Sequence, residues 1–324
     1  MGVNGSVLAI DAGNSKTDVA LIGEDGTVLS TARGGGFQPP VVGVGTAVDV
    51  LGAAVEQALA SAGADAGSVA HVSACLANAD LPVEEAQLTD ALRARAWGRT
   101  VEVRNDTFAI LRAGADEPRG VAVVCGAGIN CVGMVPDGRT ARFPAIGRIS
   151  GDWGGGSGLS EEAMWFAARA EDGRGEPTEL ARALPAHFGL DSMYALIEAL
   201  HLGRIESARR HELSPVLFAT AAAGDAVARG LVDRLAEEVV ALSSVALSRL
   251  GLLGEEAPVV LGGSVLAARH PQLDDRIAEL LSVHAPKAVV RVMKESPVLG
   301  AGLLGLDRTG AAPEVHARLR AQYV

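Results

Sequence analysis

The chain has 324 residues, of which 48% are hydrophobic, 21% charged and 3% aromatic. A single hydrophobic core seldom grows beyond about 250–300 residues, so two domains are expected. The formal net charge of -11 would repel a phosphate backbone and predicts no nucleic-acid partner. We find no run of about 18 apolar residues and no basic segment ahead of an apolar stretch at the N-terminus, which predicts a cytoplasmic protein that does not contact a membrane.

The first part of the sequence predicts a three-stranded antiparallel meander followed by alternating helices and strands. The predicted strands are 7–11, 17–21, 27–32, 69–76 and 100–103, and the predicted helices are 46–62, 83–96 and one that begins near Asp106. The resulting order is β-β-β-α-β-α-β-α.

The same order recurs after the punctuating stretch 117–120, with a long helical insertion. The predicted strands are 121–125, 130–135, 140–143, 258–261 and 288–292, and the predicted helices lie within 157–250, with 229–250 the longest, and at 272–283 and 298–306. Two such halves facing each other describe an α/β protein of the actin-like ATPase (ribonuclease H-like) fold, with two duplicated domains and an interdomain cleft. Two unrelated α/β domains are the alternative.

The predicted domains follow from this repeat. An N-terminal actin-like domain covers residues 1–115, and a C-terminal one covers 116–297 with its helical insertion at about 157–250. The closing segment 298–324 is expected to pack back on the first domain.

A polar turn containing a glycine joins the first two predicted strands. Gly13 permits close backbone approach, and the amides and hydroxyls around it can cradle phosphate oxygens, while Asp11 can hold Mg²⁺ through water. The predicted ATP-binding residues here are Gly13, Asn14, Ser15, Lys16 and Thr17. The segment is not a Walker A sequence, and an ordinary polar hairpin is the competing interpretation.

The corresponding turn of the second half is also rich in glycine, and so is a turn further along the same half. Gly126, Ala127 and Gly128 follow the strand 121–125, so two facing hairpins would clamp the phosphates of ATP from both domains. Gly262, Gly263 and Ser264 follow the strand 258–261, where a nucleoside can approach the carboxyl end of a strand. Glycines that merely shape tight turns are the alternative.

Asp106 is the candidate catalytic base. Phosphoryl transfer to a hydroxyl needs a group that orients the nucleophile and takes its proton, which is usually a carboxylate. Asp106 stands where the strand 100–103 ends and a helix begins, at the interdomain end of the first domain. A helix N-cap is the competing interpretation, because Asp is common there and stabilises by about 1 kcal/mol.

The segment 151–157 is a further glycine-rich stretch, which precedes the helical insertion. So many glycines suggest a backbone that closes over a ligand, and Asp152 could accept hydrogen bonds from sugar hydroxyls. A flexible connector fits the glycine run equally well.

The three cysteines, Cys75, Cys125 and Cys131, are too few and too scattered for a zinc site or a disulfide framework. They fall inside predicted strands. We therefore predict buried thiols.

With these motifs in place, the chain resembles the N-acetylglucosamine kinase branch of the BadF/BadG/BcrA/BcrD-type ATPases. The resemblance spans almost the whole chain and depends on the segments 11–17, 105–106, 126–130, 151–157 and 262–264. It implies that Asp106 is the base facing the 6-hydroxyl of the sugar, and it places Ala222 beside the adenine. The implied substrate-binding residues are Gln38, Asn78, Asn105, Asp106, Gly128, Asn130, Gly151 and Asp152.

The sequence also departs from the animal members of that branch. Ala127 replaces a threonine, Gln38 replaces an asparagine, and the first loop carries 14–16 as Asn-Ser-Lys in place of Gly-Gly-Thr. These changes weaken the assignment of the sugar. Branches that bind an iron–sulfur cluster or zinc are disfavoured by the three scattered cysteines.

The leading hypothesis is an ATP- and Mg²⁺-dependent kinase acting on the 6-hydroxyl of an amino sugar, most simply N-acetylglucosamine. Glucosamine, N-acetylmuramic acid and glucose stay open as substrates, and a homodimer stays open as the assembly. A regulatory ATPase without a small-molecule acceptor is the main alternative. A degenerate sugar-binding protein is a weaker one, because both Asp11 and Asp106 are present.

Overall fold

The computed structural model describes residues 6–323. The first half contains β1 (Ser6–Ala12), β2 (Thr17–Ile22), β3 (Val28–Gly34), α1 (Pro39–Val42), α2 (Val44–Ser61), β4 (Val69–Leu76), α3 (Pro82–Ala94), β5 (Thr100–Asn105) and α4 (Thr107–Gly114). The second half contains β6 (Gly120–Cys125), β7 (Ile129–Met134), β8 (Thr140–Arg142), α5 (Gly155–Glu171), α6 (Leu180–His187), α7 (Met193–His201), α8 (Leu213–Ala222), α9 (Ala226–Leu250), β9 (Ala257–Gly262), α10 (Ser264–Ala267), α11 (Pro271–His284), β10 (Ala288–Val292), α12 (Pro297–Thr309) and α13 (Pro313–Ala321).

The strands form two five-stranded sheets with the same topology. The first has the order β3-β2-β1-β4-β5 and the second the order β8-β7-β6-β9-β10. In each sheet the first three strands of the chain are antiparallel and the last two run parallel to the first. The predicted fold class, a duplicated α/β fold with mixed sheets, is confirmed. We call the half built on the first sheet the first lobe and the other half the second lobe.

The central strands of the first sheet are buried along their whole length because both faces are covered. Leu8 and Ile10 of β1 belong to the core beneath α2, whereas Val7 and Ala9 belong to the core beneath α12. A strand covered on both faces reads as a continuous apolar run, which is why β1 was recognisable as an uninterrupted hydrophobic segment.

Two helices, α4 and α12, lie between the sheets and give the two lobes a common core. This core joins Phe108 of α4 and Leu303 of α12 to Val7 of the first sheet and Val260 of the second. Gly300 allows the two helices to touch, since a Cβ placed there would lie 1.8 Å from the carbonyl oxygen of Ala109. The closing segment thus packs against the first sheet as well as against α4.

The helices α5 to α9 form the insertion of the second lobe, and α9 is the longest at 25 residues. Helix α9 packs on the face of the second sheet that points away from α4 and α12, where Val121 and Val123 meet Leu235 and Val239, and the other helices of the insertion pack on α9 or on one another. Within residues 6–323, no single helix has both the length and the apolar character of a membrane span. One pair of consecutive helical segments meets those criteria when taken together. It consists of Ser207–Ala222 and Ala226–Leu250, and the chain bends by 111° between them.

The three cysteines are buried, unbridged thiols in β4, β6 and β7, as predicted. Burial raises the pKa of Cys125 to about 12 and the pKa of Cys75 and Cys131 well above the ordinary value. Because the thiolate is the reactive form, these cysteines serve as small apolar core residues.

Candidate active site

The hairpin between β1 and β2, residues 13–16, presents backbone N–H groups with no partner. The carbonyl of Gly13 accepts from the N–H of Phe37 at 2.9 Å, and the carbonyl of Asn14 accepts from Nε2 of Gln38 at 2.8 Å. In a trans peptide the N–H points opposite to the C=O, so the N–H groups of Asn14 and Ser15 point away from this support. Neither N–H finds a protein acceptor within residues 6–323.

The hairpin between β6 and β7, residues 126–128, has the same construction. The carbonyls of Gly126 and Ala127 accept from the N–H groups of Gly156 and Ser157, in the first turn of α5, at 2.7 and 3.0 Å. The N–H groups of Ala127 and Gly128 therefore point away from α5, and the described part of the chain offers them no acceptor. Each hairpin thus exposes two adjacent amide donors, which is the arrangement that binds anions.

Glycines make this construction possible in both lobes. A Cβ at Gly36 would lie 2.1 Å from the carbonyl oxygen of Asn14, and a Cβ at Gly155 would lie 2.5 Å from that of Ala127. By contrast, a Cβ at Gly126 or Gly128 would meet no atom within 4 Å, and neither has a positive φ. Among the residues that the structure describes, nothing requires glycine at these two positions, but a ligand that approached the backbone closely would.

Two carboxylates stand at the carboxyl ends of parallel strands facing this region. Asp11 lies in β1, and Asp106 follows β5, with β4 between them. Burial and then the charge of Asp106 raise the pKa of Asp11 to about 8. Burial raises the pKa of Asp106 to about 6, although hydrogen bonds from the backbone and side chain of Thr107 act to lower it. Burial is thus the largest effect on both carboxylates, and at Asp11 the charge of Lys16 offsets it only in part.

Asp106 does not cap α4. Its backbone is already helical, with φ −60° and ψ −25°, and its side chain makes no capping hydrogen bond. The cap is Asn105, whose Oδ1 accepts from the N–H of Thr107 at 2.9 Å. The side chain of Asp106 therefore does not supply the cap of α4, although hydrogen bonds from Thr107 act on its carboxylate and lower its pKa against the effect of burial.

The amide of Asn130 in β7 connects the second lobe to the first at the floor of the cleft. Its Nδ2 donates to Oδ1 of Asn105 at 3.1 Å and approaches Oδ1 of Asp80 at 3.5 Å. Asn105 in turn donates from Nδ2 to Asp80 at 2.8 Å. Two predicted substrate-binding residues therefore meet at one point, together with Asp80, which the sequence analysis did not single out.

Asp152 lines a cavity of about 210 Å³ together with Ala127 and Gly128 of the second hairpin. Oδ2 of Asp152 accepts from the N–H of Gly147 at 3.0 Å, which fixes the carboxylate beside this cavity. Gly151 has φ 87° and no neighbour within 4 Å of a built Cβ, so it serves the turn before Asp152.

Gln38 and Asn78 both contact the first hairpin. Besides the bond from Gln38, Nδ2 of Asn78 donates to Oδ1 of Asn14 at 2.9 Å. Lys16 of the hairpin and Thr17, the first residue of β2, are engaged within the fold. Nζ of Lys16 pairs with Asp18 at 2.7 Å, and the buried hydroxyl of Thr17 donates to the carbonyl of Gly35.

A separate cavity of about 360 Å³ lies in the second lobe behind the second hairpin. Gly126, Ala127 and Ser264 line its hairpin side, and Phe218 of α8 and His270 form its wall. The two rings are stacked, with centroids 3.8 Å apart and planes 2° apart. Ala222 lies one turn beyond Phe218, exposed at the end of α8. Gly262 ends β9, and Gly263 follows it in close contact with the end of β6, since a Cβ at Gly263 would lie 2.4 Å from the carbonyl oxygen of Cys125.

Two lobes of identical sheet topology, each with an amide-donating hairpin at the same place, define the architecture of the actin-like ATPases. The family model described as "BadF/BadG/BcrA/BcrD ATPase family" matches residues 8–305 of the chain. The chain belongs to this family, as the resemblance of its motifs implied.

The chain is similar to three further proteins. It is 26% identical over 301 residues, 92% of this chain and 97% of the other, to an N-acetylmuramic acid/N-acetylglucosamine kinase of Clostridium acetobutylicum. It is also 26% identical over 228 residues, 67% and 71% of the two chains, to an N-acetyl-D-glucosamine kinase of Dictyostelium discoideum. A solved Chromobacterium violaceum protein, provisionally assigned as an N-acetylglucosamine kinase, has a TM-score of 0.71 at 23% identity over 94% and 99% of the chains.

Proposed function

We propose that the protein is an ATP-dependent kinase that phosphorylates the 6-hydroxyl of an N-acetylated amino sugar. The observation that carries this proposal is the pair of hairpins, 13–16 and 126–128, each offering from one side of the cleft two amide donors that have no acceptor among residues 6–323. Relatives over most of the chain are kinases of N-acetylglucosamine, and one of them also of N-acetylmuramic acid. N-acetylglucosamine is therefore the first substrate to test, and N-acetylmuramic acid the second.

In this proposal, each residue has a defined task. The free amides of the two hairpins hold the phosphate oxygens of ATP, and the adenine lies in the cavity walled by Phe218 and His270. Asp152 and Asn130 bind sugar hydroxyls. Asp106 accepts the proton of the 6-hydroxyl as the oxygen attacks the terminal phosphate, and closure of the lobes excludes water from the reaction.

Asp11 is the proposed residue for Mg²⁺. A buried carboxylate close to a second one, with a pKa raised to about 8, is an environment that a divalent cation would neutralise. Within residues 6–323, no group of three or more His, Cys, Asp or Glu side chains could hold a metal ion by itself. A cation beside Asp11 would take its remaining ligands from phosphate oxygens and water, as Mg²⁺ commonly does, and would supply charge neutralisation.

The test of the proposal is coupled ADP release from MgATP with N-acetylglucosamine, N-acetylmuramic acid, glucosamine, glucose or no sugar. We expect turnover that depends strongly on an N-acetylated amino sugar, with a product phosphorylated at the 6-position by NMR. Turnover that is equal with and without every sugar would favour the regulatory ATPase instead.

Replacing Gly126 with Ala should weaken MgATP binding and leave the fold intact. The added methyl group meets no protein atom within 4 Å, but it enters the space that a phosphate would use. Hydrogen bonds to charged groups contribute about 1.5–3 kcal/mol, so losing one should raise the Kd by roughly tenfold or more. Isothermal titration with MgATP measures this, and Gly230→Ala, on an open face of α9, is the matched control. An unchanged Kd would remove Gly126 from the site.

Replacing Asp11 with Asn should weaken binding of MgATP but not of metal-free ATP. A carboxylate that orients the water ligands of a metal contributes about 10–100-fold to its affinity, so we expect a loss of that order. Nucleotide titrations with Mg²⁺ and with EDTA separate the two effects. Glu24→Gln, in the exposed turn after β2, is the control for removing one negative charge from the same lobe. An equal loss with and without metal would contradict the role of Asp11.

A further inference from the structure

Asp80 lies in the loop between β4 and α3, at the floor of the cleft, and its backbone is fixed from both lobes. Its N–H donates to Oε2 of Glu84 at 3.1 Å. From the second lobe, Arg142 donates to the carbonyls of Ala79 and Asp80 at 3.0 and 3.3 Å and pairs with Glu85 at 2.6 Å. The carboxyl group therefore projects from a rigid position.

That carboxyl group determines how the neighbouring amides are oriented. An ionised carboxylate only accepts hydrogen bonds, so Asn105 must turn its Nδ2 toward Asp80, at 2.8 Å. This orientation leaves Oδ1 of Asn105 to accept from the N–H of Thr107, at 2.9 Å, and from Nδ2 of Asn130, at 3.1 Å. The Asp80 carboxylate thus fixes the orientation of Asn105, and Asn105 in turn caps α4 and contacts Asn130 of the second lobe.

Stability does not account for a carboxylate at this position. Burial, followed by the charge of Asp106, raises the pKa of Asp80 to about 7. When the pKa of a carboxyl group is higher in the folded than in the unfolded chain, the free energy of unfolding of the protein decreases as the pH rises from about 4 to about 7. Near neutral pH the group therefore opposes folding. Costly ionisable groups of this kind are concentrated at functional sites.

On the basis of the kinase function proposed above, we propose that Asp80 is a positioning residue of the phosphoryl-transfer site. Through Asn105 it supplies the cap of α4, which leaves the carboxylate of Asp106 free to accept the proton of the sugar hydroxyl. Through Asn105 and Asn130 it fixes the second lobe at the point where the sugar binds. Asp80 acts on the reaction through these two amides.

The test exchanges donor and acceptor between Asp80 and Asn105. In Asp80→Asn the side chain keeps one acceptor oxygen but gains an NH2 donor group, so it no longer fixes which end of Asn105 faces it. We expect kcat to fall by about 10- to 100-fold, because displacement of reacting groups by about 1 Å costs that much. The KM for MgATP should not change. In the double variant Asp80→Asn/Asn105→Asp, the carboxylate at 105 can accept from Thr107, from Asn130 and from the new amide, so we expect most of kcat to return.

The control is Asp90→Asn, an exposed position of α3, which should keep the kcat of the wild type. The Asn105→Asp single variant, with two facing carboxylates, should lose kcat as well, and this tests the pairing even if Asp80→Asn fails to fold. If the wild type is active but Asp80→Asn has the same kcat, the positioning role is wrong and the kinase function stands. The same conclusion follows if the double variant does not recover the kcat that Asp80→Asn has lost. A wild type without sugar-dependent ADP release overturns the proposed kinase function and this role with it.

Discussion

Replacing Asp106 with Asn should lower turnover by about 10²–10⁴-fold while the Tm and the affinity for the sugar stay as in the wild type. This is the usual contribution of a positioned general base, and Asn has the same shape as Asp but cannot take the hydroxyl proton. Structural integrity should be preserved because Asp106 makes no capping hydrogen bond. Steady-state kinetics, differential scanning calorimetry and sugar titration provide the three measurements.

Two comparisons test the role of Asp106 further. Asn105→Ala removes the actual cap and should reduce the free energy of unfolding by about 1 kcal/mol or more, whereas Asp106→Asn should not reduce it. Burial raises the pKa of Asp106 to about 6, and the base must be ionised. The kcat of the wild type should therefore fall as the pH drops through about 6, and the residual activity of Asp106→Asn should lack this limb. A stable, fully active variant would refute the proposed mechanism.

Replacing Gly300 with Ala should destabilise the whole protein by about 1–3 kcal/mol or more. The new Cβ would lie 1.8 Å from the carbonyl oxygen and 2.6 Å from the carbonyl carbon of Ala109, so α12 and α4 would have to separate. A backbone carbonyl cannot rotate out of the way as a side chain can, which places this change among the costly overpacking substitutions. Urea denaturation followed by circular dichroism measures the effect.

Gly230→Ala is the matched control, since it is also a glycine-to-alanine change inside a helix. It has no neighbour within 4 Å, so we expect it to be neutral or to stabilise by up to about 1 kcal/mol. If Gly300→Ala had the denaturation midpoint of the wild type, the close contact between α4 and α12 would be incorrect.

The sheets could be predicted from the sequence because their signals are local. The strands β4 and β10 have the predicted bounds, and the glycine-flanked apolar runs in each half revealed the duplication. The helix α13 was missed. Only Leu319 is buried in it, and it also makes polar contacts with distant residues, such as Arg318 with Asp25 at 2.8 Å. Contacts of that kind leave no periodic pattern.

The candidate site could likewise be predicted only where its residues lie close together in the sequence. Both hairpins were recognised because glycine and polar residues lie together in the chain. Asp80 was not, because its partners Asn105 and Asn130 are 25 and 50 residues away, and an acid just before Pro82 resembles a helix start. Phe218 and His270 meet only in the folded lobe. Which of Asn105 and Asp106 caps α4 also depends on the backbone angle, which residue types alone do not give. The domain bounds, the cytoplasmic location and the assembly stay predictions.

The core shared through α4 and α12 has a consequence for how the protein folds. Neither sheet completes its hydrophobic interior alone, since Val7 of the first and Val260 of the second belong to one cluster. The halves therefore resemble each other in topology but are not autonomous, and their unfolding is expected to be cooperative across the cleft. A single half of this kind would cover the same apolar surface only by pairing with a second copy, so one chain here contains the interior that two such copies would form.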